Sequence, residues 1–576
     1  MMSSNKGYQL RPLQKGEINE PFARIIPASP FEKGRVRGIS NMNKSLSLGI
    51  DVSTQSISAV VLDMDTITVV WEHSLDYCRD NRLNTFGIRP EDYILLPETE
   101  GEANQPAGLF LAALDTLFTD LKRDIDPGDI TVINTSGQQH GHAYLSSQAP
   151  DVFRQLLNKG SGQSDLNSLL KGSLAWDKAP IWMTSDTYEQ AEFIRNHVGG
   201  KRRMIELSGA DAPLRFTGIV IRKIGQKFPD IYNNTEKIQL ISSIIPAVLT
   251  GNTNVPVDFG NASGMALMDY RRKDWSDELV GAVSEGLPGG EESLKSKLPK
   301  IVSPDSVVGT ISTYFVTKFG FSPECKIIAG SGDNPQSKVL VTGDLLSLGT
   351  SIVNMVSTDG KTLDMNGYAS AMYDGIGRPF MFGTRTNGVM VWDNLRARYG
   401  LGKNEYIPAE ETLEKAPVGE NLLFWQPRNE SFPPSGSIDI TRIGDFTPDL
   451  GIDYAALIET TLAAVYIYSK GFTRETDEIL HVTGGARHSR EILRRIAAVW
   501  NRPVVPIETG GASLGAAVAG AISYYRSEGK EVDILKNTGL LKKGRKIHPQ
   551  KNDIEAFHKP GGFLERYTVE ETKLLF

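Results

Sequence analysis

The segment Leu-Ser-Leu-Gly occurs twice in this chain, at residues 46–49 and, three hundred positions later, at residues 346–349. The first copy continues as "LSLGIDVSTQS" and the second as "LSLGTSIVNMV", so both pass from an apolar stretch into glycine and hydroxyl side chains. This pattern predicts a strand followed by a tight glycine turn at each place. The repeat predicts an internal duplication in which each half of the chain opens with the same kind of hairpin.

Length and composition restrict the class of protein. A chain of 576 residues with 40% apolar and 23% charged side chains is expected to form about two to four globular domains. The net charge of −7 gives no general attraction to nucleic acid or acidic lipid, so any polyanion must be bound locally. Cys78 and Cys325 have neither metal-ligand spacing nor the number of a secreted disulfide framework, which predicts a cytoplasmic protein. The apolar stretch from Gly511 is short and rich in small residues, which predicts a buried helix and no membrane anchor.

Three regions are predicted along the chain. Residues 1–44 are mildly basic, contain several prolines and show no sustained period, so we predict a flexible extension or a start codon assigned upstream of Met42. From residue 45 onwards strands alternate with helices, which predicts α/β domains. Prolines and polar residues at 297–305 mark a boundary between a first domain at 45–303 and a second at 304–576.

The two hairpins carry groups suited to phosphate. In "GIDVSTQS" the backbone N–H groups and the hydroxyls of Ser53, Thr54 and Ser56 can contact an anion. Asp51 would repel a bare phosphate, so its presence is explained if Mg²⁺ lies between them. "SLGTS" at 347–351 offers the same groups without the acid. A hairpin with polar turn residues and no ligand remains the alternative for each segment.

The segment "GSGDNP" places Asp333 at the end of an apolar strand, in a glycine-lined turn. A carboxylate there can accept a proton from an attacking hydroxyl. The same residues also favour an Asx turn with no catalytic role, and the hexamer alone leaves both interpretations open.

Two further strand ends carry polar residues. "SGQQHGH" brings Gln138, Gln139, His140 and His142 together, and amide and imidazole groups suit a polyhydroxylated ligand. Metal binding by the two histidines, or a purely structural pair, are the alternatives. "HVTGGARHSREIL" combines a strand, two glycines and a helix that begins near Ser489, where a flat nucleobase or ribose can approach the backbone.

Taken in order, these motifs resemble the FGGY family of carbohydrate kinases, and most of all its eukaryotic-type xylulokinases. The resemblance covers about residues 45 to 523. It is carried by "LGIDVSTQS", "SGQQHG", "PIWMTSDT" from Pro180, "RFTG" from Arg215, "SGMALM" from Ser263, "GDNP" from Gly332, "SLGTS" from Ser347 and "TGGARHSREIL" from Thr483.

The resemblance implies an α/β protein with the actin-like ATPase (ribonuclease H-like) fold, two duplicated domains around a central cleft. It implies ATP and Mg²⁺ as cofactors and the phosphorylation of a ketopentose, D-xylulose giving D-xylulose 5-phosphate. The implied catalytic base is Asp333 and the implied metal residue is Asp51. The implied sugar contacts are Gln139, His140, Arg215 and Asn334, and the implied nucleotide contacts are Ser53, Thr54, Gln55, Ser347, Gly349, Thr350, Ser351, Gly484, Gly485 and Ser489.

The chain departs from the family pattern in the "PIWMTSDT" segment. Xylulokinases carry an aspartate where this chain has Thr184, and Asp186 would replace it only if the loop shifts. A kinase for another sugar such as ribulose, or a non-catalytic ATP-binding protein of the actin fold, therefore remain alternatives. The expected partner is a small-molecule sugar, with neither nucleic acid nor a membrane, and the sequence leaves monomer and homodimer open.

Overall fold

Two mixed β-sheets organise this protein, as seen in a computed structural model. The structure describes residues 45–575 except 403–404, 445–446, 475, 477, 509 and 537–538. The predicted extension at 1–44 lies outside the described residues. The first sheet contains β1 (Leu46–Val52), β2 (Ser56–Asp63), β3 (Thr68–Asp76), β4 (Ile130–Gly137), β5 (Val307–Thr310), β6 (Lys326–Ile328) and β7 (Ser331–Gly332). The second contains β8 (Leu345–Leu348), β9 (Ile352–Ser357), β10 (Ser370–Tyr373), β11 (Pro379–Arg385), β12 (Leu480–Gly484) and β13 (Val504–Pro506).

Five strands of each sheet repeat one topology, and each sheet carries a further edge strand, β5 in the first and β10 in the second. The first has the order β5-β6-β4-β1-β2-β3, with β7 also paired to β4, and the second has the order β10-β11-β9-β8-β12-β13. In the first sheet β1 pairs antiparallel with β2 and parallel with β4. In the second sheet β8 pairs antiparallel with β9 and parallel with β12 in the same way. A third strand then continues the antiparallel part, β3 in one sheet and β11 in the other. The predicted α/β duplication is therefore confirmed.

Helices surround these sheets. Those used below are α1 (Ala107–Asp124), α2 (Thr217–Lys227), α3 (Ile241–Thr250), α4 (Asp333–Val339), α5 (Val389–Arg398), α6 (Tyr406–Lys415), α7 (Leu450–Ser469), α8 (Arg490–Trp500) and α9 (Ala512–Ser527). The others are Ala149–Arg154, Leu166–Leu169, Tyr188–His197, Lys201–Ser208, Pro229–Asn234, Phe259–Ala262, Asp277–Ser284, Gly290–Lys297, Thr313–Phe319, Lys551–His558 and Phe563–Leu575. Short strand pairs join Asn104–Pro106 to Lys178–Pro180, His142–Ser146 to Thr235–Leu240, Val257–Asp258 to Ile301–Val302, Met268–Asp269 to Asp274–Trp275, Leu422–Gln426 to Ile438–Ile443, and Glu430–Ser431 to Pro434–Ser435.

Two of these helices are strongly apolar. α7 is long and apolar enough to cross a membrane, but 78% of its most apolar window is buried inside the protein, as expected of a core helix. The stretch predicted from Gly511 to be a buried helix is α9, whose residues Leu514 to Ser523 are buried. Both helices therefore supply core packing.

The first Leu-Ser-Leu-Gly segment alternates between the two faces of the first sheet. Leu46 and Leu48 pack into an apolar cluster that includes side chains of α1 and α3. Ser47 and Gly49 face α9, where the Ser47 hydroxyl donates to the Ala517 carbonyl at 2.7 Å. A Cβ atom on Gly49 would lie 2.1 Å from the Ser513 carbonyl oxygen, so only glycine fits under this helix.

The prediction that both glycines form tight turns is wrong for the first copy. Gly49 lies in mid-strand opposite Val60, and the turn of its hairpin comes later, at 53–55. Gly349 does lie in the turn between β8 and β9. The duplication therefore resides in strand order, and the repeated letters occupy different places in the two hairpins.

The first sheet also extends past the predicted domain boundary at residue 303. Strands β5 to β7 follow that boundary in the chain, yet β6 and β7 pair parallel with β4. α9, from near the end of the chain, packs against the same sheet. Sheet membership therefore does not follow a single cut at 303–304.

Candidate active site

The parallel strands β1, β4 and β7 end side by side and form the centre of the candidate site. Their register places Asp51, Ser136 and Ser331 opposite one another on the three strands. Asp333 follows two residues later as the first residue of α4. Ligands bind at the carboxyl ends of strands in open α/β sheets, so this edge is the natural place for a reaction.

Asp333 is held by backbone and side-chain donors. Its Oδ1 accepts hydrogen bonds from the Asn334 backbone N–H at 2.7 Å and from Asn334 Nδ2 at 2.9 Å, and the backbone N–H of Gln139 also contacts the carboxyl. Burial, together with the negative charge of Asp51, raises the pKa of Asp333 to about 7. A carboxyl with this pKa exchanges its proton readily near neutral pH, as a general base requires.

Asp51 is a buried carboxylate with oxygen neighbours. Its two oxygens accept hydrogen bonds from the hydroxyls of Ser136, at 2.7 Å, and Ser53. Burial raises the pKa of Asp51, and these hydroxyls lower it in part. Among the described residues no lysine or arginine forms an ion pair with Asp51 or Asp333.

These carboxylates fit a divalent cation whose remaining ligands come from elsewhere. Asp51, Asp333 and the serine hydroxyls are all oxygen donors, which Mg²⁺ prefers. In the described part of the chain no group of three or more His, Cys, Asp or Glu side chains is placed to hold a metal ion. A cation at this edge would therefore need oxygen from a bound molecule, as when Mg²⁺ binds with a nucleotide.

His140 is neutral at physiological pH. The ring is stacked on Phe216 at 4.4 Å between centroids, and Nδ1 lies 2.7 Å from the Gly264 carbonyl oxygen. Burial, with a further contribution from the positive charge of Arg215, lowers the pKa of His140 to about 3. Because a carbonyl can only accept, Nδ1 carries the proton and Nε2 is left as an acceptor for a ligand hydroxyl.

Arg215 adds a cation to this wall. Burial lowers its pKa, and no carboxylate among the described residues pairs with it. A partly buried guanidinium without an internal partner has its donors free for a ligand.

Gln139 completes the wall: its Oε1 accepts from Asn334 Nδ2 at 3.3 Å and its Nε2 contacts Met372 Sδ at 3.4 Å, on β10 of the second sheet. The structure therefore places Asn334 and Gln139 in contact with Asp333, and the charge of Arg215 acts on His140, the residue after Gln139.

His142 has a structural role. Its Nδ1 lies 3.0 Å from the His140 carbonyl oxygen and its Nε2 lies 3.0 Å from the Tyr144 hydroxyl. Both ring nitrogens are used within the protein, so the alternative of metal binding by His140 and His142 has no support from this geometry.

The first hairpin turn is tied to Trp182, which lies in the "PIWMTSDT" segment but was not among the predicted site residues. The Trp182 indole, 45% exposed, donates from Nε1 to the Thr54 hydroxyl at 2.8 Å, and that hydroxyl donates to Gln138 Oε1 at 3.2 Å. The exposed Gln55 accepts at its carbonyl oxygen from the backbone N–H of Tyr77. The Tyr77 hydroxyl is buried without a hydrogen-bond partner, and its pKa is raised by burial and by the charge of Asp51.

The second hairpin turn lies beside α5 and the glycine pair. The carbonyls of Gly349 and Thr350 accept from the first two N–H groups of α5, while Ser347 and Ser351 are partly exposed in the hairpin. Gly484, at the end of β12, pairs in register with Leu348, and the exposed Gly485 follows it. Six predicted nucleotide contacts therefore lie close together around this turn: Ser347, Gly349, Thr350, Ser351, Gly484 and Gly485.

Ser489 is used differently. Its hydroxyl caps α8 by accepting from the Ile492 backbone N–H at 3.0 Å and donates to the Glu410 carboxylate of α6. Glu410 also accepts from the Glu491 N–H at 2.8 Å. The Ser489 side chain is therefore committed to the start of α8, which a motif match could not reveal.

Asp186 does not replace the missing aspartate of the "PIWMTSDT" segment. It forms an ion pair with the buried Lys223, whose Nζ lies 2.6 and 2.7 Å from the two carboxylate oxygens. Thr184 is buried and donates to the Ala103 carbonyl at 3.1 Å. The loop has not shifted to bring an acid to position 184.

Comparisons with known proteins show which family this chain resembles. The model of the FGGY family of carbohydrate kinases, N-terminal domain, matches residues 174–339. The xylulose kinase of Rattus norvegicus is 30% identical over 476 residues, 80% of this chain and 85% of the relative. Xylulose kinase 2 of Arabidopsis thaliana is 29% identical over 507 residues, 83% of this chain and 87% of the relative.

Solved structures show the same fold. The gluconate kinase of Lactobacillus acidophilus aligns with a TM-score of 0.74 at 19% identity, over 92% of this chain and 98% of that one. The glycerol kinase of Plasmodium falciparum with ADP aligns with a TM-score of 0.68 at 16% identity, over 92% and 97%. The predicted actin-like ATPase fold is confirmed, and the chain belongs to the FGGY family of carbohydrate kinases.

Proposed function

We propose that this protein transfers the γ-phosphoryl group of ATP, with Mg²⁺, to D-xylulose and forms D-xylulose 5-phosphate. One observation carries the proposal: the Asp333 carboxyl, with a pKa raised to about 7, contacts Asn334 and Gln139, and Gln139 is followed directly by the neutral His140 imidazole. Relatives in a mammal and a plant bear the name xylulose kinase and align over most of this chain.

Asp333 would take the proton of the attacking hydroxyl. Two N–H donors of Asn334 on Oδ1, with the Gln139 N–H also on the carboxyl, fix the side chain in place. His140 Nε2 accepts from a second hydroxyl, while Arg215 donates to a sugar oxygen. Phosphoryl transfer needs little beyond positioning and charge stabilisation, so this set of groups suffices without a covalent intermediate.

Mg²⁺ would lie at Asp51, and the two hairpins would contact the phosphates. When bound, Mg²⁺ neutralises phosphate charge. Asp51 would orient the ligands of the ion, whose positive charge would offset the mutual repulsion of Asp51 and Asp333. The N–H groups of Ser53 and Gly349 close the two turns, whereas the backbone N–H groups of 54–55 and 350–351 are suited to the phosphate oxygens. The exposed Gly485 leaves room for the nucleoside.

A ribulose kinase is the second candidate, because Thr184 and the internally paired Asp186 leave no acid at position 184. A site that hydrogen-bonds hydroxyls discriminates strongly between sugars when one partner changes.

Sugar-dependent ADP release measured across ketopentoses, hexuloses, glycerol and a no-sugar control tests both candidates. We expect D-xylulose to give the highest kcat/KM and the no-sugar rate to be at least about a hundredfold lower. A preference for ribulose would replace the assignment. Release of ADP that is independent of every sugar would instead favour an ATP-binding protein that is not a sugar kinase.

A further inference from the structure

A basic cavity of about 490 Å³ lies at the outer edge of the second sheet. Its walls come from the start of α8, the end of β13 and residues 544–550 near the end of the chain, and it contains none of the residues assigned above to sugar or nucleotide. Five permanent cations and a single carboxylate line it: Arg487, Arg490, Arg494, Arg545, Lys546 and Glu508.

Residues 542–547 pair with β13 and the residues after it, so the backbone that carries Arg545 and Lys546 is held in place. Ile547 and Val504 exchange two backbone hydrogen bonds of 2.8 Å, and the Glu508 N–H donates to the Lys542 carbonyl at 2.8 Å. Arg545 and Lys546 lie between these two anchor points. The family resemblance assigned no role to this part of the chain.

Most of this charge is uncompensated. Of the five cations, only Arg494 forms an ion pair with a described residue, and its partners are Asp553 and Glu491. Arg490, Arg545 and Lys546 are exposed. In a chain with a net charge of −7, such a concentration of positive charge in a concave site favours an anion. Arginine forks match phosphate oxygens in particular, and the volume suits a small molecule.

Arg487 connects the cavity with the turn that follows β12. Its Nη1 donates to the Gly484 carbonyl at 2.8 Å and its Nη2 to the Glu508 carbonyl at 3.4 Å. Its Nε is buried without a hydrogen-bond partner, so the guanidinium keeps an unused donor. A ligand that drew Arg487 into the cavity would remove the hydrogen bond that Arg487 donates to the Gly484 carbonyl. Gly484 pairs with Leu348 beside the second hairpin, so that loss would reach the second hairpin.

We propose that this cavity binds a small molecule carrying two or more phosphate groups, and that binding alters the affinity of the enzyme for nucleotide. The second part rests on the proposed function, whereas the first is a binding event that stands without it. The ligand is defined by its chemistry, so a nucleoside diphosphate, a sugar bisphosphate and an inorganic polyphosphate share the essential feature.

Titration calorimetry with tripolyphosphate tests the site, using full-length protein whose nucleotide site is saturated with a non-hydrolysable ATP analogue. The variant Arg490→Ala/Arg545→Ala/Lys546→Ala removes three cations of the cavity. Its matched control, Arg271→Ala/Lys361→Ala/Lys530→Ala, removes three exposed cations elsewhere. We expect one molecule bound by the native protein, affinity at least about tenfold weaker in the cavity variant, and native affinity in the control. Thermal melting checks that both variants are folded.

Two further measurements identify which anion the cavity prefers and whether its binding affects the nucleotide site. Inorganic phosphate should bind more weakly than tripolyphosphate, and tripolyphosphate should change the KM for ATP of the native enzyme but not of the cavity variant. Loss of binding when the ATP analogue is present would assign the cavity to the nucleotide site. Equal weakening in the control variant, absence of binding at about 1 mM probe, or tighter binding of a short oligonucleotide through the same arginines would each overturn the proposal.

Discussion

The Asp333 carboxyl should destabilise the folded protein as part of preparing it for catalysis. Burial and the charge of Asp51 raise its pKa from 3.8 to about 7. Between these values the folded chain holds one proton more than the unfolded chain, so the free energy of unfolding falls as the pH rises. At about 1.4 kcal/mol per pKa unit, the loss reaches about 4 kcal/mol above pH 7.

The variant Asp333→Asn separates this cost from the catalytic benefit. The amide keeps the shape of the side chain and an oxygen acceptor for the Asn334 N–H, but it carries no charge. In Mg²⁺-free buffer at pH 8 we expect the variant to exceed the native protein in unfolding free energy by about 2 to 4 kcal/mol. This difference corresponds to a rise of a few degrees in Tm. At pH 5 the folded carboxyl is protonated while the unfolded one is ionised, and the loss amounts to only about 1.7 kcal/mol, so the difference should shrink to less than half.

Denaturation at the two pH values, with a chelator present, measures the effect, and coupled ADP release measures activity. Sugar phosphorylation should fall by a factor on the order of a hundred or more, because the general base is lost. The control Asp65→Asn changes an exposed carboxylate and should show neither effect. Equal stability of Asp333→Asn and the native protein at pH 8 would refute the electrostatic reasoning, and near-normal turnover would remove Asp333 from the role of base.

Three other substitutions test separate parts of the structure. His140→Ala should raise the KM for sugar more than the KM for ATP in steady-state kinetics, because the Nε2 acceptor belongs to the sugar wall; equal changes would contradict that placement. Gly484→Ala should lower Tm and weaken ATP binding, because φ of Gly484 is +92° and a Cβ would lie 2.2 Å from the Leu348 carbonyl oxygen. An unchanged Tm would contradict the predicted strain. Lys223→Met should cost about 1 to 3 kcal/mol of unfolding free energy, because the half-buried Asp186 loses its cation and keeps the Thr99 hydroxyl as a donor. Adding Asp186→Leu should restore part of that loss, and denaturant unfolding of the single and double variants measures both effects.

Local sequence patterns predicted the strands and the chemistry at their ends. Alternation in "LSLGIDV" identified β1, and the glycine-rich turns identified where Asp333, Gln139 and His140 leave their strands. These predictions succeeded because a side-chain period of two and the turn preferences of glycine are properties of neighbouring residues. Gly49 was misread as a turn glycine, because its requirement comes from a helix more than four hundred residues away.

Partners distant in the chain set the parts that the motifs could not give. The hydroxyl of Ser489 matches the family pattern, but Glu410 on α6 directs it to cap α8. Asp186 lies two positions from the place where an acid was expected, but Lys223 holds it elsewhere. In both cases a partner distant in the chain, which no local pattern contains, decided which contact the side chain makes.

The same reasoning applies to the proton affinity of Asp333. A motif identifies the carboxyl group and the turn that holds it, but an aspartate in such a turn would titrate near 4 if it were exposed. Its pKa of about 7 exists because the register of β1, β4 and β7 places Asp51 at the same sheet edge and because the surrounding chain removes much of the water around the carboxyl. The reactive group is therefore encoded locally, whereas its readiness to accept a proton near neutral pH is a property of the assembled sheet.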